Sequence, residues 1–321
     1  MAAIDGPTPA VSVGVPVYNG ERYLREALDS LLAQTFTNFE IVIADNASTD
    51  GTATICSEYA ARDGRIRYVR NRTNIGLVGN FRRVFELSRA PYFKWATYDD
   101  RSAPELLERA VEVLDRDPSV VLAFGRTVII DADGVVIGRH PHDGLRLDSV
   151  HPHVRFNELI RVYHWCVQQF GVIRSDSLRR TSLYGNYPQS DRAFLAELAM
   201  HGRFHEIPED LFHFRDHRQV SMAMASRLPL MAWAMDPSKQ GRLVFPTWRL
   251  YSEWWKVVAR APIAARERAW AFIHLVQWPF RGLNAARLAR DLAWAGPFMA
   301  RRLLARAGAA IRGAPETPSV P

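Results

Sequence analysis

The feature that most constrains the fold is a regular alternation of apolar runs with helical patterns in the first half of the chain. Two runs, VSVGVPVY (11–18) and FEIVIAD (39–45), are rich in β-branched residues. Such runs are typical of strands that are buried on both faces of a sheet. Between them, residues 21–34 repeat Leu and Ala at helical spacing. The pattern predicts an α/β fold with a mostly parallel sheet flanked by helices.

Polar side chains follow three of the predicted strands at the point where each strand ends. Tyr18 and Asn19 follow the first strand, Asp45 closes the second, and the adjacent acids Asp99 and Asp100 follow a third. Ligands of such sheets bind in the crevice at the carboxyl ends of the strands, so we expect one shared site. Adjacent carboxylates are compensated well by Mg²⁺ or Mn²⁺ held together with substrate phosphates. The alternative is that the two acids only begin a loop and cap the next helix.

The segment VSVGVPVYNGERYLREALDSLLAQTFTNFEIVIADNASTDGT (11–52) resembles the N-terminal block of the family-2 inverting glycosyltransferases. The resemblance covers about residues 10–220 and implies the GT-A nucleotide-sugar-binding fold. It implies that Pro16 and Tyr18 line a nucleobase pocket and that Asp45 accepts a hydrogen bond from uracil. For Tyr18, packing at the edge of the core is the alternative. The remaining residues assigned to nucleotide binding are Asn19, Glu21, Asn74, Thr97 and Asp99.

The metal motif of the family, Asp-x-Asp, falls on residues 97–99. Thr97 replaces the first acid, whereas Asp99, which the resemblance implies to be the direct metal ligand, is kept. The implied cofactor is Mn²⁺ or Mg²⁺. By the same resemblance His217 contacts the metal and Arg215 pairs with the diphosphate; a basic surface turn is the alternative for both.

The segment YPQSDRAFLAELAM (187–200) resembles the block of the family that carries the catalytic base. The resemblance implies that Asp191 takes the proton of the acceptor hydroxyl, which attacks opposite the leaving diphosphate and inverts the anomeric carbon. It places Ser190 and Trp165 on the acceptor side. A carboxylate also suits a helix N-terminus on electrostatic grounds alone, and that is the alternative for Asp191.

The positive charge of the chain is concentrated at its C-terminal end. Residues 242–321 hold 13 Arg or Lys, 4 Asp or Glu and six of the nine tryptophans, whereas residues 1–241 hold 28 basic and 30 acidic residues. Proline-interrupted helical patterns with this composition predict amphipathic helices lying on an anionic membrane surface. The alternative is a helical subdomain packed on the body or an oligomer interface. Confinement of the charge to this end, without a recognisable nucleic-acid module, argues against a nucleic-acid partner.

These patterns divide the chain into four parts: an N-terminal extension (1–9), a catalytic domain (10–225), a helical, basic and Trp-rich region (226–312) and a disordered tail (313–321). Two cysteines are too few for a disulfide framework. No signal peptide or spanning segment is visible. We therefore expect a cytoplasmic protein, peripheral on the inner face of the membrane.

The predicted function is inverting transfer of a sugar from a nucleotide diphosphate, UDP being favoured, to a hydroxyl of a glycan, lipid-linked or glycolipid acceptor. Such a reaction belongs to cell-envelope glycan or glycolipid biosynthesis. One alternative is a nucleotidyltransferase, although VPVYNGERY (15–23) lacks the Gly-rich, basic loop expected around a triphosphate. Another is a catalytically weak nucleotide-binding relative, as the loss of the acid at Thr97 suggests.

Overall fold

The computed structural model describes residues 8–140, 145–217 and 245–293. Within these ranges, nine strands form one sheet. The strands are β1 (Val11–Val17), β2 (Phe39–Asp45), β3 (Ile66–Arg70), β4 (Tyr92–Trp95), β5 (Arg101–Ser102), β6 (Val120–Ile130), β7 (Val136–Arg139), β8 (Val172–Arg174) and β9 (Arg203–Arg215).

In the part of the chain that the structure describes, seven helices lie between these strands, and two further helices follow the last strand. They are α1 (Leu24–Leu32), α2 (Thr52–Arg62), α3 (Gly76–Glu86), α4 (Leu106–Arg116), α5 (Pro152–Arg161), α6 (Ser175–Arg179), α7 (Ser190–His201), α8 (Pro246–Arg260) and α9 (Ala265–Gln277). Residues 284–293 are also helical. Short 3₁₀ turns occupy Val167–Phe170 and Trp278–Phe280.

The strand order is β3-β2-β1-β4-β8-β6-β9-β5, with β7 paired to β6 outside this path. The four strands from β3 to β4 are mutually parallel, as the alternation with helices predicts. Beyond β4 the pairing is mixed, because β8 runs antiparallel to both β4 and β6 while β6 and β9 are parallel. The parallel half places the ends of β1, β2 and β4 at one edge of the sheet.

The first core lies on both faces of this sheet. Every residue of β1 and β2 is buried, which explains why the two runs carry so few polar side chains. Ser12 of β1 and Glu40 of β2 are buried polar residues that pair with each other, the Ser12 hydroxyl donating to Glu40 at 2.6 Å. At Gly14 an added Cβ would lie 2.7 Å from Phe93 and 2.8 Å from Val84, so glycine lets α3 and β4 approach β1 closely.

A second apolar core joins the C-terminal helices to the body. Trp254 of α8 and Trp278 are fully buried with apolar residues of α5 and α7, such as Phe156 and Met200. The indole of Trp278 donates to the carbonyl of Ile160 at 2.8 Å. These helices therefore form the helical appendage that the sequence predicts, and one of their faces packs on protein.

Only some of the predicted domain boundaries fall within the residues that the structure describes. The boundary at 225 and the predicted disordered tail from 313 lie outside the described residues, as does most of the N-terminal extension. None of the described helices is both long and apolar enough to cross a membrane.

Candidate active site

The ends of β1, β2 and β4 meet as predicted. Val17 stands opposite Asp45 in the parallel register of β1 and β2. The turn after β1 touches the segment after β4, since a Cβ added to Gly20 would lie 2.8 Å from the Tyr98 ring. The candidate residues at these three strand ends therefore lie at one edge of the sheet, here called the crevice.

The turn after β1 is tied to the turn after β2 by hydrogen bonds. The backbone N–H of Asn19 donates to the Ser48 hydroxyl at 2.9 Å, and the Asn19 side-chain oxygen accepts from the Thr49 N–H at 2.8 Å. Glu21 accepts from the Gly51 N–H at 3.0 Å. Asn19 and Glu21, both predicted to bind nucleotide, thus shape the wall of the crevice in this structure.

The two residues predicted to line the nucleobase pocket have different environments. Tyr18 is 44% exposed at the edge of the crevice, which leaves its ring accessible to a stacking partner. Pro16 is buried within β1, opposite Ala44 of β2. Tyr18 is therefore the better placed of the two for direct contact with a base.

Asp45 is completely buried and is held by three neighbours. It accepts hydrogen bonds from the Ser48 N–H at 2.8 Å and the Tyr68 hydroxyl at 3.0 Å, and Arg70 Nε lies 3.5 Å from its second oxygen. Burial and this carboxylate raise the pKa of Tyr68, so the phenol stays a donor. Arg70 is half-exposed beside the crevice, and sequence reasoning missed it, although its place at the end of β3 was a usable signal.

An amide network fixes the loop that follows β3. Asn46 donates to the Asn74 side chain at 2.8 Å, and Asn71 donates to Asn46 at 3.1 Å and to Asn80 at 3.0 Å. Asn80 in turn donates to the carbonyl of Ala44 at 2.8 Å. Asn74, a predicted nucleotide contact, is exposed at the rim and is positioned by this network; the other three amides were not predicted.

The adjacent acids after β4 have different roles. Asp100 is buried and accepts from the backbone N–H of Arg215 at 2.8 Å and from the Thr97 hydroxyl. Burial and the nearby charge of Asp99 raise the pKa of Asp100 to about 8. Thr97 thus takes the place of the missing motif acid with a hydroxyl that donates to Asp100, where another carboxylate would add repulsion.

Asp99 is only partly buried and faces His217. The two residues are 118 positions apart in the sequence, and His217 Nε2 lies 2.9 Å from Asp99 Oδ2. The His217 ring also packs on Tyr23, with ring centroids 5.0 Å apart. The structure therefore brings together the two side chains predicted to contact the metal.

Arg215 is 1% exposed, and its guanidinium is surrounded by protein acceptors. Nε donates to the carbonyl of Asp99 at 2.8 Å, Nη1 to the carbonyls of Asp131 and Ala132, each at 3.1 Å, and Nη2 to Glu26. This geometry favours a structural role for Arg215, which holds the Asp99 segment, over the predicted contact with a diphosphate.

The predicted acceptor side is built around Asp191 at the start of α7. Burial raises the pKa of Asp191, against opposing effects of Arg192 and of a hydrogen bond from the Cys166 thiol. Ser190 is buried next to it. Trp165 is partly exposed and packs edge-on against His140 and obliquely against Phe214. A carboxylate with a raised pKa is a stronger base than an exposed one.

His164, which is buried and neutral, hydrogen-bonds the backbone of Cys166, whose thiol contacts Asp191. The His164 Nδ1 atom accepts from the Cys166 N–H at 3.3 Å, and Nε2 lies 3.1 Å from the carbonyl of Leu159. Burial lowers the pKa of His164 to about 3, so the neutral ring persists at ordinary pH. Sequence analysis did not predict the contact between the Cys166 thiol and the candidate base.

Residues with a left-handed backbone conformation are concentrated near the predicted site residues. Outside glycine, the described residues with positive φ are Asn19, Ala47, Cys166, Leu183 and Gln189. Four of the five lie within two residues of a predicted site residue. Such conformations cost on the order of 1–3 kcal/mol each and cluster at functional sites. The clustering agrees with the prediction that these loops belong to a functional site.

Comparison with known proteins agrees with the geometry. The model of the family described as glycosyl transferase family 2 matches residues 12–180. An uncharacterized protein of Mycobacterium tuberculosis is 33% identical over 208 residues, which cover 62% of this chain and 57% of the relative. The putative glycosyltransferase EpsE of Bacillus subtilis is 34% identical over 128 residues, which cover 40% of this chain and 46% of that protein. The matches thus span about half of each of these relatives.

Solved structures share the fold. S. aureus TarS (residues 1–349, in complex with UDP) matches with a TM-score of 0.61 and 16% identity, over 85% of this chain and 72% of that one. The mannosyltransferase PcManGT of Pyrobaculum calidifontis, in complex with GDP-Man and Mn²⁺, matches with a TM-score of 0.51 and 19% identity, over 91% and 83%. The predicted GT-A fold is confirmed, and because the family model spans more than half of its residues, the chain belongs to glycosyl transferase family 2.

Proposed function

We propose that this protein transfers a sugar from a nucleoside diphosphate to an acceptor hydroxyl, with inversion at the anomeric carbon. The observation that carries the proposal is the convergence of Asp99 and His217 at the crevice formed by the strand ends. Family membership supports the reaction class. The donors bound by structural neighbours, UDP, UDP-GlcNAc and GDP-Man, support a nucleotide sugar as substrate.

Asp99 and His217 fit a divalent cation. Adjacent ligands of an octahedral ion at about 2.1 Å lie roughly 3.0 Å apart, and the Asp99 and His217 atoms are separated by 2.9 Å. A carboxylate oxygen with an imidazole nitrogen suits Mn²⁺, and the complex of PcManGT with Mn²⁺ points the same way. When bound there, the ion would stabilise the negative charge of the departing diphosphate.

The other site residues have separate roles in binding the base, removing the proton and positioning the acids. Tyr18 offers an exposed ring on which a nucleobase can stack, and Asp45 is a buried carboxylate at the end of the neighbouring strand β2. Asp191 removes the proton of the acceptor hydroxyl, which its raised pKa favours. Arg215 and Thr97 hold Asp99 and Asp100 in place rather than touching the donor.

A thermal-shift panel tests the donor class. We expect UDP or a UDP-sugar to raise the melting temperature, and Mn²⁺ to increase the effect, because ligand and ion bind only the folded chain. Nucleoside triphosphates serve as the comparison, since a nucleotidyltransferase would prefer them. Stabilisation by triphosphates alone, or by no nucleotide, would contradict the proposed donor.

We also propose that the protein associates with a membrane surface through a defined face of its C-terminal region. The face, here called the α9 face, consists of Trp270, Ile273, Val276, Phe280 and Leu283. All five side chains are exposed, Phe280 at 85% and Leu283 at 71%. Trp270, Ile273 and Val276 lie on α9, Phe280 lies in the 3₁₀ turn and Leu283 follows it. The Trp270 ring also stacks on His153 of α5, so it forms the border between the exposed face and the body. Net positive charge in residues 242–321 complements anionic lipid. This supports a lipid-linked or glycolipid acceptor.

Because α8 and α9 pack on the body, deletion of the C-terminal region is not a clean test of membrane binding. Deletion of residues 242–321 would uncover the apolar faces of α5 and α7, so lost binding could reflect unfolding. We therefore expect full-length Val276→Ser/Phe280→Ser to lose co-sedimentation with anionic vesicles, because both side chains are exposed on the α9 face. High salt should weaken wild-type binding, since each basic residue near the surface contributes about 1 kcal/mol. Val136→Ser removes an equally exposed apolar side chain from β7 and should bind as wild type does. Equal binding by all variants, or none by wild type, would refute the α9 face.

A further inference from the structure

A second cluster of metal-ligating side chains lies far from the candidate active site in the sequence, where α5 begins and α9 makes its first turn. His151 Nδ1 lies 3.0 Å from Glu267 Oε1, and His153 Nδ1 lies 2.7 Å from Glu267 Oε2. The three donor atoms all lie within 4.8 Å of one another. Among the described residues this is the only group of three His, Cys, Asp or Glu side chains that meets this spacing.

The donor set is that of a late first-row cation. Two imidazoles and a carboxylate form a common zinc ligand set, with bonds of about 2.0–2.2 Å to nitrogen and oxygen. Ligands of a tetrahedral ion at such distances lie roughly 3.3 Å apart. The separations of 3.0 and 2.7 Å involve different oxygens of Glu267, and no two donor atoms are more than 4.8 Å apart, so small rotations of the three side chains would bring them to one ion. His151 is largely exposed, which leaves room for water as a fourth ligand.

The surroundings of the cluster limit how its rings can move. The ring of His153 stacks on His274, with centroids 5.6 Å apart at 19°, and on Trp270, with centroids 6.0 Å apart at 26°. The buried Nδ1 of His274 has no hydrogen-bond partner in the described structure, so the neighbourhood holds an additional unsatisfied nitrogen. Stacking orients the His153 imidazole, as outer contacts do for metal-bound histidines.

We propose that His151, His153 and Glu267 bind a zinc-class divalent cation that clamps α9 to the start of α5. The site is separate from the Asp99–His217 pair, and its nitrogen-rich donors select a softer ion than the proposed catalytic cation. The ion would link the catalytic body to the helices that carry the α9 face. The proposal stands or falls independently of the transfer reaction, because it depends only on these three side chains.

Zinc binding by the full-length chain without a histidine tag tests the site. After removal of metal with a chelator, wild type should take up zinc in a stoichiometric step by calorimetry, and its melting temperature should rise with zinc. His151→Gln and His153→Gln should each weaken this step at least about tenfold, the scale of losing a ligand or its support. His217→Gln removes a histidine from the other cluster and should keep the step. Because His151 is exposed, its variant should fold normally.

The alternative is that Glu267 simply accepts one hydrogen bond from each histidine. In that case zinc would bind wild type no more tightly than it binds His151→Gln or His153→Gln, and the clamp would be refuted. The same conclusion follows if the only stoichiometric zinc is lost in His217→Gln. Loss of the zinc-binding step in His151→Gln and in His153→Gln, with retention in His217→Gln, assigns the ion to His151, His153 and Glu267.

Discussion

Asp99→Asn is expected to reduce sugar transfer by roughly three or more powers of ten, since a metal that stabilises a leaving group contributes several kcal/mol. Asparagine keeps the shape of the side chain and can still accept a hydrogen bond from His217, whose Nε2 lies 2.9 Å from the present carboxylate. The loss should therefore arise from the charge and not from misfolding. The measurement is the transfer rate, together with calorimetric binding of UDP in the presence and absence of Mn²⁺.

The matched control is Asp176→Asn. Asp176 is a highly exposed carboxylate that pairs with Arg179 in α6, and α6 follows the end of β8 that lies beside the start of β4, away from the crevice. We expect this variant to behave as wild type. Wild-type turnover and metal dependence in Asp99→Asn would show that the metal is held elsewhere or is not used.

Asp191→Asn is expected to slow transfer by about two to four powers of ten, the range for a lost general base. Because Asp191 lies on the predicted acceptor side, UDP affinity and its dependence on Mn²⁺ should be unchanged. The pH profile should change as well: the raised pKa of Asp191 predicts that the wild-type rate falls as pH drops through that pKa and the base becomes protonated. Asp191→Asn should lose this acidic limb.

Two outcomes would contradict the assignment of the base. An equal loss of UDP affinity would place Asp191 in the donor site or in the framework of α7. A variant that kept the acidic limb of the profile would show that another group takes the proton. Melting temperatures of Asp99→Asn and Asp191→Asn, measured beside that of Asp176→Asn, separate these outcomes from a general loss of stability.

Features encoded by short sequence patterns were predictable. The burial of β1 and β2 follows from their apolar composition, and the common edge at which β1, β2 and β4 end follows from their parallel pairing. The approach of His217 to Asp99 was predicted only through the resemblance, because nothing in the local sequence joins residues 118 positions apart.

Features that depend on distant packing were not predictable. Arg215 lies in a basic segment that suggests phosphate binding, yet its partner Glu26 is 189 positions away and the pairing of β9 with β6 buries it. Helical spacing in the tail indicates an apolar face but not what that face contacts. Trp254 and Trp278 turn out to pack on α5 and α7, whereas Trp270 and Phe280 remain exposed.

The most direct test of the central claim is the release of nucleoside diphosphate from a nucleotide sugar, because it needs no knowledge of the acceptor. The donor that stabilises the protein most is incubated with wild type, Asp99→Asn and Asp176→Asn, each with and without Mn²⁺. We predict Mn²⁺-dependent release by wild type and Asp176→Asn, and almost none by Asp99→Asn. If wild type binds the donor but releases no more diphosphate than Asp99→Asn, with or without a membrane extract as the source of acceptor, the protein is a nucleotide-sugar-binding relative and not a transferase.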